Sequence, residues 1–280
     1  MKLSIIILNY KSAGLTLQCV RGILAHPPRE LYEVIVVDNT PSEKVLDKLK
    51  QFSQIKLITA HKNNGFAAGN NLGIKTAMGE YILILNPDLV VLPGTLDKLI
   101  SFMNTNSKVG LAGPRLVNPD GSLQYSCFTW PSFWMPLFRR TFLGTFGRGE
   151  KNVHKYQMMD WDHQDNRAVD WLLGACLIVR RKALEQVGPL DERYFLYVED
   201  TDWCRRFWAK GWQVFYVSDV EFVHFHERLS AQPSIGKLFK KITWIHIASW
   251  CKYFWKWRGI KMFLDLTYPL FLATLTTYVC

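Results

Sequence analysis

Four short apolar runs, residues 3–8, 33–37, 55–59 and 81–85, alternate with stretches whose apolar residues recur at helical spacing, residues 15–25, 44–52 and 70–78. Strand-like runs separated by helices build βαβ units, which assemble into a mostly parallel sheet covered on both faces. Each run ends in polar residues: Asn9-Tyr10, Asp38-Asn39, then Asn63-Asn64-Gly65 shortly after the third, and Asn86-Pro87-Asp88. In an open parallel sheet the carboxyl ends of the strands line the ligand crevice, so these polar groups collect along one margin. The fourth run poses a problem. Residues 81–92 read YILILNPDLVVL, which places a carboxylate between two apolar segments. A buried carboxylate is costly unless paired or bound to a metal, so Asp88 is either turn chemistry, since Asn-Pro-Asp is a turn signal, or a ligand.

With 280 residues and 49% hydrophobic content, the chain can bury a sizeable core as one α/β domain, with or without an appendage. Its formal net charge of +10 favours an anionic partner: nucleic acid, a membrane surface or a phosphorylated small molecule. Six cysteines without CxxC spacing argue against a zinc cluster or a disulfide framework, and suit reduced thiols in a cytoplasmic protein. The run 3–8 is too short for a signal peptide.

Residues 123–161 are aromatic and basic, with Trp130, Phe133, Trp134, Phe138, Arg139, Arg140, Phe142 and Phe146 among turn-forming Pro and Gly, and read as an irregular insertion. Regular structure resumes with a strand over 171–179 and a helix from Lys182 to Val187 closed by Gly188-Pro189. Residues 231–264 contain no acidic residue, and their lysines and Arg258 alternate with Trp244, Trp250, Trp255 and Trp257. A basic, Trp-rich helix of this kind suits the interface of an anionic membrane. The apolar tail 263–280, interrupted by Asp265 and Pro269, falls short of the about 20 apolar residues that a spanning helix needs, and predicts an in-plane or partly inserted segment. The expected organisation is a domain over 1–230, made of a nucleotide half 1–122, an insertion 123–168 and an acceptor half 169–230, followed by a membrane-associating region 231–280.

Candidate chemistry lies at five places. HKNNGFAAGNNLGIKTA, residues 61–77, is a Gly/Asn-rich loop that opens a helix, where backbone amides can meet an anion or simply cap the helix. It is neither of the two common nucleotide fingerprints. Asp38 and Asp88, at two strand ends, suit a ribose or a divalent cation shared with phosphates. Glu199, Asp200 and Asp202 occupy the first turn of a predicted helix beside the aromatic run 194–197; the macrodipole favours acids there, and a partly dry setting tunes a carboxylate toward general-base work. His224 and His226 fall on one side of an extended segment, as structural residues or as ligands.

Taken in order, Asp38-Asn39, the loop Asn63-Asn64-Gly65-Phe66-Ala67-Ala68-Gly69-Asn70-Asn71, Asn86-Pro87-Asp88, Trp171 with Gly174-Ala175-Cys176, Glu199-Asp200 and the late histidines resemble the family 2 glycosyltransferases of GT-A fold. The resemblance covers residues 1–230 and is strongest to the rhamnosyltransferase-like branch of bacterial polysaccharide assembly. It implies a Rossmann-like, mostly parallel α/β sheet flanked by helices, and an inverting transfer from a nucleotide-diphosphate sugar, dTDP-rhamnose in that branch. It implies donor contacts at Asn9, Tyr10, Asp38, Asn39, Asn64, Gly65, Asn70, Asn86 and Asp88. Where the family has a DxD-type motif this chain keeps only its last Asp. The resemblance implies Mg²⁺ or Mn²⁺ on Asp88 and His224, with His226 as alternative because the usual His-Gly-Ser spacing is altered. It implies catalysis at Glu199-Asp200, with Asp200 as base, and acceptor-side positions at Trp171, Gly174 and Ala175. The implied acceptor is a glycan or polyprenyl-diphosphate-linked glycan, met by a cytoplasmic enzyme peripheral on the inner face of the membrane, with no nucleic acid partner. Three competing readings are a UDP-sugar-dependent enzyme of the same fold, a single-stranded nucleic-acid-binding protein that uses its Trp/Lys interleaving, and an α/β nucleotidyltransferase. The last predicts a Gly-rich basic loop where LNYKSAGLTL has one Gly and one Lys.

Overall fold

A computed structural model describes residues 1–40, 44–225 and 241–258. His226, three of the basic region's six lysines (Lys237, Lys240 and Lys261) and the apolar tail 263–280 lie outside the described residues.

The expected alternation is present as β1 (Leu3–Asn9), α1 (Ala13–Ala25), β2 (Tyr32–Asp38), β3 (Ile55–Thr59), α2 (Phe66–Thr76) and β4 (Tyr81–Leu85). The stretch between β2 and β3, expected as a helix, is a 3₁₀ segment over Lys44–Gln51. The chain continues through β5 (Leu89–Val90), α3 (Thr95–Thr105), β6 (Val109–Val117), β7 (Leu123–Gln124), β8 (Cys127–Phe128), α4 (Met135–Arg140) and α5 (Gly147–Tyr156). After these come β9 (Arg167–Ala168), β10 (Trp171–Leu172), β11 (Cys176–Arg180), α6 (Arg181–Val187), α7 (Glu199–Ala209), β12 (Gln213–His224) and α8 (Lys241–Lys256).

The main sheet runs β3-β2-β1-β4-β11-β6-β12-β5, with β7 on β6 and β9 on β12, while β8 and β10 form a separate antiparallel pair. The pairs β3/β2, β2/β1, β1/β4 and β6/β12 are parallel, and β11 is inserted antiparallel between β4 and β6. Side chains in the central strands alternate between two cores. Ile6, Leu8, Ile35, Val37, Ile82, Ile84, Leu177 and Val179 join one; Ile5, Ile7, Val34, Val36, Leu83, Leu85 and Ile178 join the other. A strand covered on both faces is apolar at nearly every position, which explains the near-continuous runs, and the buried exceptions Ser4 and Glu33 hydrogen-bond each other at 2.7 Å. Each such side chain contributes about 1.5–3 kcal/mol by leaving water.

The expected strand over 171–179 is two strands. β10 belongs to the small antiparallel pair, and the chain crosses to β11 through Leu173-Gly174-Ala175. The cause is packing: Trp171 is buried, with its ring stacked 4.4 Å from Phe128 and Nε1 donating to the Thr129 carbonyl at 3.0 Å, whereas β11 must register with Leu85 and Ile84 of β4.

α8 is not a free amphipathic helix. It buries Trp250, Tyr253 and Phe254, and the adjoining Trp257 is buried with them, in the same core as α7. Asp202 of α7 is its anchor. Its fully buried carboxylate accepts from Trp257 Nε1 at 2.9 Å and Lys256 Nζ at 2.7 Å, and from Arg206 Nε at 2.9 Å. Part of the tryptophan signal therefore belongs to the core, and Trp244, Ile247 and Trp255 are the large apolar groups that α8 leaves exposed. We expect Asp202→Asn, which keeps shape but removes the charge facing Lys256 and Arg206, to cost about 3 kcal/mol, the low end for a broken buried pair because Lys256 keeps Asp191. Urea unfolding measures the loss, and amide exchange should show α8 loosening first.

Candidate functional site

The strand ends converge as their order required. Asn9 and Asp38 are register partners closing β1 and β2, and Asn9 Nδ2 donates to Asp38 Oδ1 at 2.9 Å. The same oxygen accepts from the Thr40 amide at 2.8 Å. Asn9 Oδ1 in turn accepts from Thr16 Oγ1 at 3.0 Å and from the Ser12 amide and hydroxyl, so it ties α1 to the strand end. Tyr10 follows, half exposed at the rim.

The Gly/Asn-rich loop is held against this corner. Asn39 Nδ2 donates to Asn63 Oδ1 at 3.0 Å and to the Gly65 carbonyl at 3.1 Å, and Asn63 Oδ1 also accepts from the Gly65 amide at 2.9 Å. Asn63, which was not among the expected donor contacts, thus braces the loop, and Asn64 beside it is exposed. Gly65 caps α2 with φ +92°, and a Cβ there would overlap the Phe195 carbonyl oxygen. The same carbonyl accepts from the Phe66 amide at 2.8 Å, which fastens the start of α2 to the loop entering α7. Asn70 is buried within α2, with Nδ2 donating to the Phe66 carbonyl.

At the end of β4 the Asn86 amide donates to the Ala175 carbonyl at 2.8 Å, and the Gly174 amide donates to Asp200 Oδ2 at 2.9 Å. The crossing from β10 to β11 thus joins the Asn-Pro-Asp turn to the first turn of α7. Asp200 also accepts at Oδ1 from the Thr201 amide at 2.7 Å and hydroxyl at 3.3 Å. Burial raises its pKa, and the Gly174 and Thr201 hydrogen bonds oppose that rise. Glu199 is raised well above the ordinary range by burial and by the Asp200 charge, and its Oε2 is buried with no hydrogen-bond partner. The two carboxyls titrate as one coupled pair: burial raises both, and the Gly174 and Thr201 donors favour the negative charge on Asp200 over Glu199.

Asp88 lies at the adjoining β4–β5 turn. Its carbonyl accepts from the Phe225 amide at 2.9 Å, which brings the end of β12 alongside, and Oδ1 lies 3.3 Å from His224 Nε2. Asp88 Oδ1 is buried with no hydrogen-bond partner. Cys19 below it is pushed up to about 12 by burial and by the Asp88 charge, so the thiol is inert. No group of three or more Asp, Glu, His or Cys side chains converges on one point among the described residues. The insertion also reaches the site: Tyr156 at the end of α5 has its pKa raised by burial, while Arg139 opposes the rise and the Asp200 charge adds to it. Trp171 is buried in the aromatic cluster behind the turn that Gly174 and Ala175 line.

Residues 4–188 match the sequence model of glycosyl transferase family 2, which is more than half of the chain. The chain belongs to this family. Among similar proteins of this glycosyltransferase family is the N-acetylglucosaminyl-diphospho-decaprenol L-rhamnosyltransferase of Mycobacterium tuberculosis, 30% identical over 78% of this chain and 74% of that protein. The rhamnosyltransferase WbbL of Escherichia coli is 25% identical over 78% and 83% respectively. A mannosyltransferase from Pyrobaculum calidifontis, solved in complex with GDP-Man and Mn²⁺, shares the fold at TM-score 0.57 and 18% identity. That alignment covers 82% of this chain and 58% of the mannosyltransferase. The chain is thus a family 2 glycosyltransferase of α/β, GT-A-like architecture in the rhamnosyltransferase-like branch. No helix among the described residues is long and apolar enough to cross a membrane.

The acid pair sets a pH signature. A carboxyl whose folded pKa is raised contributes stability that is complete below its unfolded value, near 4, and is lost as pH rises through the folded value. Wild-type unfolding free energy should therefore fall from pH 4 toward neutrality, and Glu199→Gln should flatten most of that slope. Chemical denaturation across that range is the check.

Proposed function

We propose that this enzyme transfers L-rhamnose from dTDP-rhamnose to a hydroxyl of a polyprenyl-diphosphate-linked glycan during cell-surface polysaccharide synthesis. The observation that carries the reading is the Gly174 amide holding Asp200 at the same sheet margin as Asn9, Asp38, Asn86 and Asp88. The names of the mycobacterial and Escherichia coli relatives support the sugar, and the former supports the lipid-linked acceptor.

In this reading Asp38, steadied by Asn9 and Thr40, meets the nucleoside, with Tyr10 and Asn39 beside it. Asn64, Gly65 and Asn70 at the start of α2, and Asn86 at the β4 end, border the donor; Trp171, Gly174 and Ala175 back the acceptor side. Asp88 and His224 would hold the Mg²⁺ or Mn²⁺ ion. They fit it, because an oxygen without a hydrogen-bond partner faces an imidazole nitrogen, and hard cations fill their remaining positions with water and substrate phosphate. The ion supplies neutralisation of the charge that develops on the departing diphosphate. Asp200 takes the proton from the acceptor hydroxyl, whose oxygen forms a bond to the anomeric carbon as the bond to the nucleoside diphosphate breaks on the opposite face, inverting the centre. Protonated Glu199 keeps a second negative charge out of the pocket.

The acceptor side meets an anionic membrane surface. Phe133, Trp134, Leu137, Phe142 and Phe146 of the insertion and Trp244, Ile247 and Trp255 of α8 are exposed. The two groups are joined by Trp250 Nε1 donating to the Phe133 carbonyl at 3.0 Å and by the Phe133 and Phe254 rings 5.4 Å apart. Aromatic rings flanked by cations partition into the lipid interface, which supports a peripheral position on the inner face of the membrane.

Asp200→Asn should lower turnover by about 10²–10⁴-fold while donor binding persists; substantial residual transfer would show that another group is the base. Thermal shifts with dTDP-rhamnose and UDP-sugars, each with and without Mn²⁺ or Mg²⁺, test donor and metal together. A larger shift with UDP-sugars would reassign the donor. Deleting α8 is a poor membrane test, because it strips Asp202 of its partners. Trp244→Ser with Trp255→Ser should instead reduce sedimentation with anionic vesicles at unchanged melting temperature, and undiminished sedimentation would remove the membrane contact from these residues.

A further inference from the structure

A chain of polar side chains runs from the β6–β7 turn to His224. The turn is Asn118-Pro119-Asp120-Gly121-Ser122, closed by the Asn118 amide on the Ser122 carbonyl at 2.8 Å and by Gly121 at φ +81°. β7 follows at once and pairs Gln124 with Leu116 of β6; β12 lies on β6 and ends at His224. Gln124 is thereby buried against a residue a hundred positions away.

The direction of every bond in this chain follows from its far end. Asp120 is held below the ordinary carboxylate range by the Ser122 hydroxyl and amide, so it is an anion with no proton to give. Ser122 Oγ must donate to Asp120 Oδ1, at 2.6 Å, and its lone pair accepts from Asn118 Nδ2 at 2.8 Å. The Asn118 amide is thus oriented with Oδ1 toward Gln124 Nε2, which donates to it at 3.3 Å. That leaves Gln124 Oε1 facing His224 Nδ1 at 2.6 Å. A carbonyl oxygen can only accept, so Nδ1 carries the hydrogen, and in the neutral ring Nε2 bears the lone pair. This nitrogen lies 3.3 Å from Asp88 Oδ1. With the opposite tautomer, Nε2–H would donate to Asp88, and the two groups would satisfy each other and close the site to a cation.

We propose that Gln124 is a positioning residue: backed by Asn118, Ser122 and Asp120, it holds His224 as the Nδ1–H tautomer, so that the Nε2 lone pair beside Asp88 can serve as a ligand for a divalent cation. This rests on the reading of Asp88 and His224 as a cation site, and it adds residues that the sequence analysis did not select. Partners that fix a ligand imidazole in this way change metal affinity by about 10–100-fold when removed.

The test separates the tautomer from the metal. Long-range ¹H–¹⁵N spectra of the metal-free full chain, above the pH at which the ring protonates, should show His224 with hydrogen on Nδ1; hydrogen on Nε2 would overturn the inference with no variant required. Calorimetric titration with Mn²⁺ should show affinity about 10–100-fold weaker for Gln124→Met, which keeps length without an acceptor. Most of it should return in Gln124→Glu, whose carboxylate still accepts from Nδ1–H. Unchanged affinity in Gln124→Met at unchanged melting temperature would overturn the role of Gln124. Equal Mn²⁺ affinity in wild type and Asp88→Asn would instead overturn the cation site itself.

Discussion

The hydrogen bond from the Gly174 amide to Asp200 ties the crossing between β10 and β11, and through it the end of β4, to the first turn of α7. The parallel strands β2, β1 and β4 bring their carboxyl ends to one margin, but α7 enters from elsewhere in the chain. The antiparallel β11 brings them together: its first residues arrive at the β4 end, where Ala175 accepts from Asn86 and Gly174 turns its amide to the acid on α7. A Cβ at Gly174 would lie in ordinary contact with Asp200 and with Phe66 Cε1, at 3.4 and 3.6 Å, so Gly174 sits directly against the acid.

Two adjacent carboxyls are biased differently because their surroundings differ. Asp200 receives three hydrogen bonds, which favour the anion against burial; Glu199 has a buried oxygen with none, which favours the acid. The same logic of satisfied and unsatisfied groups operates at Asp88 and His224, where hydrogen-bond direction decides which atom faces the site. In both places the state of a group depends on its hydrogen-bond partners as much as on the group itself.

α8 joins the candidate site to the surface. Its inner face is anchored by Asp202, two residues from Asp200, and its outer face adjoins the aromatic insertion. Anchoring explains why a Trp-rich segment that reads as a membrane helix carries half of its tryptophans inward. Composition reports that tryptophan is abundant; the buried acid decides which ones face protein.

Much of the sheet was legible because its signals are local. Near-continuous apolar runs at β1, β2 and β4 reflect burial on both faces, strand-end Asn9, Asp38 and Asp88 follow from chain direction, and the acids of α7 stand in the first turn where the helix dipole favours them. The sequence by itself determined this order of elements and the margin on which the polar residues would meet. Tertiary structure alone decided that 171–179 breaks at Gly174, that Asn63 rather than Asn64 braces the loop, and that Gln124 reaches His224. These outcomes depend on contacts between residues far apart in the chain, and such contacts are selected by packing and by hydrogen-bond direction, which leave no periodic trace in the sequence.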